Sequence, residues 1–105
     1  MILAHDVYFT LDDDSPEARR RLVTACRTHL TGYAGCVFFS VGTMAPELDR
    51  PVNDRDFAVA LHVYFENQAS HDAYQAHPRH ARFIEEVSGN WKTVRVFDSW
   101  VETAD

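Results

Sequence analysis

Apolar side chains along this chain recur with two different periods, and the changes of period mark out its elements. From Leu3 to Leu11 the residues alternate. Leu3, His5, Val7, Phe9 and Leu11 fall on one side, and Ala4, Asp6, Tyr8 and Thr10 on the other. A period of two is that of a strand. Asp12, Asp13 and Asp14 then make a turn. Ser15-Pro16-Glu17 reads as a helix start, with a capping hydroxyl, a proline at the first helical position and an acid in the first turn. Ala18, Leu22, Ala25, Cys26 and Leu30 recur at helical spacing, while Arg19, Arg20, Arg21 and Arg27 take most of the opposite arc. Thr31-Gly32 ends that helix.

A second strand is predicted over about Cys36 to Val41. Gly42 to Arg55 is too long for a tight hairpin and holds two prolines and several acids, which predicts an exposed excursion. Alternation returns with Phe57, Val59, Leu61, Val63 and Phe65 against Ala58, Ala60, His62, Tyr64 and Glu66. Asn67 can cap a short helix through Gln75, Pro78 opens another reaching about Val87, and Ser88-Gly89-Asn90 breaks it. A last strand covers Thr93 to Val101. Val94, Val96, Asp98 and Trp100 share one side of it, and Arg95, Phe97, Ser99 and Val101 the other.

The order β-α-β-β-α(α)-β predicts one α+β domain over residues 1–105, a ferredoxin-like sandwich with helices on one face of the sheet. The other face would carry Ala4, Tyr8, Ala58, Ala60, His62, Tyr64 and Phe97. That surface is too apolar and aromatic to stand bare in water, so a two-fold homodimer through it is expected.

Composition narrows the partners. The net charge is −6, without a block of Lys or Arg, which argues against nucleic acid and anionic membrane surfaces. Met1 to Asp6 shows no basic region leading into a long apolar run. The expectation is a cytoplasmic protein without signal peptide or membrane span. Cys26 and Cys36 are the two cysteines, and they fit small buried thiols better than a disulfide.

Candidate chemistry concentrates in Tyr74 to Phe83, Y-Q-A-H-P-R-H-A-R-F. With Pro78 opening the helix, His77 sits near the N-cap and His80 in the first turn. His80 shares a face with Phe83, Ile84 and Val87, and that face is apolar, so His80 should point inward. Burial and the helix N-terminus both favour a neutral imidazole, able to accept a proton beside the Tyr74 phenol. The same two residues would serve equally as a buried packing pair. A metal reading from His77 and His80, with His62, His71 or Asp12 to Asp14, lacks any H-E-x-x-H or Cys/His cluster. No metal and no cofactor are expected. Trp91 and Trp100 read as core or dimer-edge residues, and Arg19-Arg20-Arg21 as a solvated helix face.

Four segments together resemble the stress-responsive A/B barrel (Dabb) family of dimeric α+β barrels, over nearly the whole length. They are A-H-D-V-Y-F from Ala4, F-A-V-A-L-H-V-Y-F from Phe57, Y-x-x-H-P-x-H-x-x-F from Tyr74 and V-F-D-S-W from Val96. The resemblance implies the fold and the pairing of two chains but no fixed activity. Many members have no known reaction, and a few are polyketide cyclases of the olivetolic acid cyclase type. From the cyclases it implies His80 as a base that takes an acidic proton between two carbonyls before an intramolecular aldol closure. It implies Tyr74 as the phenol steadying the carbonyl or enolate oxygen, and His5 as a strand histidine in the same pocket. Asp98 would be the carboxylate orienting the catalytic imidazole. Ala25 and Cys26 stand where the plant enzyme has bulkier wall residues.

Three functions follow. One is a non-catalytic module binding a small apolar or polyketide-like molecule, another a cofactor-free cyclase or lyase, and the third a monooxygenase-like protein of the wider barrel group. An open cavity between sheet and helices, lined by His5, Tyr74 and His80, would favour the second over the first.

Overall fold

A computed structural model of the chain describes residues 1–104. The elements run β1 (Ile2–Leu11), α1 (Pro16–His29), β2 (Cys36–Thr43), β3 (Val59–Phe65), α2 (Gln68–Ala76), α3 (Pro78–Val87), a 3-10 turn (Ser88–Asn90) and β4 (Trp91–Val101). The strands form one antiparallel sheet in the order β2-β3-β1-β4, the ferredoxin-like arrangement. None of the described helices is long and apolar enough to cross a membrane.

Local chemistry places the helix ends as the sequence leads one to expect. The Ser15 hydroxyl accepts from the Ala18 amide, Asn67 from Ser70, and His77 Nδ1 from Arg79. Each cap satisfies an amide that the helix itself leaves open. Two strands extend further than their sequence pattern. β2 continues to Thr43 because the ladder runs on through Gly42↔Ala60 and Thr43↔Val59, and β4 begins at Trp91 opposite Leu11.

One part of the alternation misleads. A bend at Ala58 reverses the facing of the pair before β3, so Ala58 joins the core and the Phe57 ring packs on Tyr8, centroids 5.0 Å apart. Main-chain bonds hold the bend: the Ala58 amide donates to the Phe9 carbonyl, and the Ala58 carbonyl accepts from Met44. Phe57, not Ala58, therefore belongs to the open sheet face. The excursion itself is pinned back to the sheet by Arg95, which donates to Asp54 Oδ2 and to the Asp56 carbonyl, each at 3.0 Å.

The core lies between the sheet and α1, with Phe9, Leu30, Val59, Val63, Phe65 and Tyr74 almost fully buried. Cys26 is part of it, and burial pushes its thiol up to about 12, so it behaves as a small hydrophobe. Both cysteines are free. α1 leans over β2 and β3 and α2 over β3, rather than over the whole sheet. The helix-side face of β4 is consequently uncovered, with Val94, Val96 and Trp100 all partly in solvent.

Arg79 clamps α3 to the end of α1. Its guanidinium donates to the Thr28 and Thr31 carbonyls, each at 3.0 Å, and lies over the Tyr33 ring. His29 of α1 and Glu86 of α3 pair nearby at 2.5 Å.

Gly35 joins β2 to the start of α2. Its φ of +81° is open to glycine, its carbonyl accepts from Glu66, and a Cβ there would meet Ser70 Cβ at 2.5 Å. Gly32 also has positive φ but faces open space. Gly32→Ala should therefore cost about 1–2 kcal/mol in urea unfolding, from backbone strain alone. Gly35→Ala should cost at least about twice that, because a packing clash is added. Equal losses would show that the Ser70 contact has no energetic weight.

Candidate active site

Five elements, α2, α3, β1, β3 and β4, converge on one cavity of about 320 Å³. Most of its wall is apolar, from Val7, Phe9 and Leu61 below to Phe83 and Ile84 above, with Val94 and Val96 along the open side. The polar groups are His5, His71, Tyr74, Gln75, His80 and Asp98. A concave apolar space with a few convergent polar groups, at the lower end of small-ligand pocket sizes, is the usual form of a binding site.

His5 is 5% exposed on the central strand, directly opposite Asp98 in the β1–β4 register. Its Nδ1 meets Asp98 Oδ1 at 2.5 Å, and its Nε2 lies 3.3 Å from the Gln75 amide nitrogen. A carboxylate only accepts, so Nδ1 carries the proton and Nε2 offers a lone pair. Asp98 thus orients His5 and not His80. It is also not a buried acid, since 47% of its side chain remains exposed on the uncovered face of β4.

His80 does turn inward. Its ring stands edge-on to Tyr74, centroids 4.9 Å apart, with Phe83 beneath it. Burial, then the nearby His5 and His71 imidazoles, hold its pKa below the usual histidine value. The ring is a neutral base at neutral pH. Tyr74 is 1% exposed and packed against Tyr33, Phe65 and His80. Burial drives its phenol pKa well upward, so it acts as an O–H donor rather than a phenolate.

Sequence reasoning named His5, Tyr74, His80 and Asp98, which share one cavity, weighed His71 only within a metal reading with His77 and His80, and missed Gln75. His71 and Gln75 sit one turn apart on the α2 face that carries Tyr74, a helical pattern that could have disclosed them. Trp91 also lines the cavity, packed on Phe9 and Phe83. Ala25 and Cys26 do not line it; both are spent in the core under α1. His77 and His62 lie elsewhere. His77 caps α3 beside Tyr33, and His62 pairs with Asp6 on the open sheet face.

The sequence model of the stress responsive A/B barrel domain matches residues 3–101. The chain belongs to the Dabb family. No curated protein matches it in sequence. Among solved structures, a Dabb protein with a ferredoxin-like fold from Mesorhizobium loti MAFF303099 is 21% identical, with TM-score 0.76 and 98% of each chain covered. A dimeric ferredoxin-like protein of unknown function from Thermobifida fusca YX is 16% identical, with TM-score 0.78, covering 96% of this chain and 92% of that one. The hydroxynitrile lyase of Passiflora edulis is 14% identical, with TM-score 0.77, covering 99% and 96%. At these identities the likeness is one of fold, and function must be argued from the Dabb cavity itself.

The depressed pKa of His80 makes a stability prediction. The folded state holds fewer protons at this site than the unfolded chain, so its contribution is fully present above about pH 6.5. It is lost as pH falls from there through the folded value. His80→Gln should remove that loss: the wild-type and variant melting curves should run parallel above pH 7 and approach or cross below 6.5. A constant difference down to pH 5 would mean that the His80 pKa is not lowered on folding.

Proposed function

We propose that this Dabb protein is a homodimer whose helix–sheet cavity takes a small, mostly apolar or polyketide-like molecule. We further infer that His80 works there as general base in a cofactor-free aldol cyclisation or lyase reaction. One observation carries the reading: apolar walls of a single open cavity converge on His80, Tyr74 and His5. A packed interior would have left only a structural part for these residues.

The chemistry follows from the protonation states. Neutral His80 takes a proton from a carbon between two carbonyls, and Tyr74 donates a hydrogen bond to the oxygen on which enolate charge gathers. The carbanion attacks a third carbonyl further along the same molecule, forming the carbon–carbon bond. The new alkoxide recovers the proton from the His80 imidazolium, which returns the base to its starting state. His5, oriented by Asp98, presents an acceptor that holds the Gln75 amide and exchanges it for a substrate hydroxyl. The same base run in reverse suits a lyase. The monooxygenase reading has fold likeness alone behind it and is not carried forward.

The open sheet face supports dimerisation. Tyr8, Phe38, Phe57, Tyr64 and Phe97 share that side, with Phe38 and Phe97 half-exposed. Asp6, His62 and Tyr64 satisfy one another in its middle, the Tyr64 hydroxyl donating to Asp6 Oδ1 at 3.1 Å and His62 Nδ1 lying 2.5 Å from the same oxygen. Polar groups already paired within one chain can be covered at little cost. The dimeric relative from Thermobifida fusca supports the same reading.

Light scattering should give a mass of about 24 kDa, twice the 12.0 kDa chain. Phe97→Glu, which disturbs no monomer core, should shift the protein toward monomer; an unchanged mass would remove this face as the interface. For the chemistry, deuterium uptake at the central carbon of a small aryl 1,3-diketone can be followed by NMR. His80→Ala should slow enzyme-catalysed uptake by about 10²–10⁴-fold with the circular dichroism unchanged. The wild-type rate should fall on the acid side with a midpoint below 6.5, as the lowered His80 pKa requires. Equal rates in wild type and variant would exclude His80 as the base.

A further inference from the structure

Two imidazoles in the cavity share an arrangement that proton abstraction by His80 does not use. His5 and His71 each hold Nδ1 against a carboxylate, Asp98 at 2.5 Å and Asp72 at 3.0 Å. Both rings therefore keep the proton on Nδ1 and leave an Nε2 lone pair. The His5 lone pair meets the Gln75 amide. The His71 Nε2 is shut off from solvent and has no hydrogen-bond partner among the described residues. Buried acceptors are rarely left so in native proteins, and only a donor or a cation can satisfy one.

The geometry specifies which. The rings of His5 and His71 stand edge to face with centroids 4.9 Å apart. One ring nitrogen from each and a carboxylate oxygen of Asp98 all lie within 4.8 Å of one another. We propose that His5, His71 and Asp98 form a binding site for a divalent transition-metal ion of the zinc class, open to the cavity.

The donor set argues for that class. Two imidazoles and one carboxylate suit zinc and its neighbours, whereas calcium and magnesium prefer oxygen throughout. Three protein ligands with a further position facing a cavity is the form of a catalytic rather than a structural site. The Asp72–His71 pair supplies the carboxylate behind a ligand imidazole that commonly fixes its tautomer. Metal–ligand bonds near 2.0–2.1 Å would bring the three donor atoms to roughly 3.3 Å from one another. At His5 the ion takes the place of the Nδ1 proton between the ring and Asp98, the displaced proton leaving to solvent, and Asp98, with 47% of its side chain exposed at the mouth, has room to adjust.

The site goes beyond the base mechanism. His80 is not a ligand, so ion binding and proton abstraction fail separately. Full-length protein stripped with chelator is titrated with Zn²⁺ by calorimetry and with Co²⁺ by visible absorbance, without substrate. One ion per chain is expected, with a raised melting temperature and cobalt ligand-field bands. His71→Gln and Asp98→Asn should each weaken binding by about 100-fold or more, while His80→Ala stays within about twofold of wild type. These variants are chosen because His5 is too deeply buried for its loss to be read cleanly; circular dichroism checks that each is folded. Absence of saturable binding, or undiminished affinity in either His71→Gln or Asp98→Asn, would overturn the site.

Discussion

β1 is hydrogen-bonded along both edges, to β3 and to β4, and the register of these two ladders decides which side chains can meet. It sets His5 across from Asp98 on one face and Asp6 across from His62 and Phe97 on the other. Because side chains alternate at every residue, a slip of one position would send His5 to the open face and expose the whole apolar row from Leu3 to Leu11. The burial of Val7, Phe9 and Leu11 therefore holds the histidine in place as firmly as its own hydrogen bond does. Core packing and site geometry are here the same constraint.

The second determinant is how little of the sheet the helices cover. α1 sits over β2 and β3 and α2 over β3, and α3 is tied to α1 by Arg79 and by the His29–Glu86 pair. With β4 left uncovered, a space opens between it and α3, and burial becomes graded across the site. Tyr74 is sealed at the core end, His80 is intermediate, and Asp98 reaches solvent at the mouth. That gradient gives each group its chemistry. A phenol kept protonated and an imidazole kept neutral can act in one small volume because burial disfavours the charged form of each.

The two faces of the sheet use histidine–carboxylate pairing for different ends. His62 and Asp6 close on each other and on Tyr64, leaving a surface fit to be covered. His5 closes on Asp98 through Nδ1 and on Gln75 through Nε2, while the neighbouring His71 keeps an Nε2 without a hydrogen-bond partner among the described residues.

Strand and helix positions were readable from the chain because periodicity and caps are local. The alternation around His5, the Ser15 and Asn67 caps and the proline at position 78 each act within a few residues. The same locality turned His80 inward, since its face of α3 is set by Phe83 and Ile84. What no local rule could supply was pairing across the fold. Asp98 was assigned to His80, but its true neighbour, His5, is 93 residues away along the chain and adjacent only through the β1–β4 ladder. The bend at Ala58, the uncovered flank of β4 and the approach of His71 to His5 have the same origin. They depend on where the helices come to rest on the sheet, which is settled by packing among distant residues and not by the order of their neighbours.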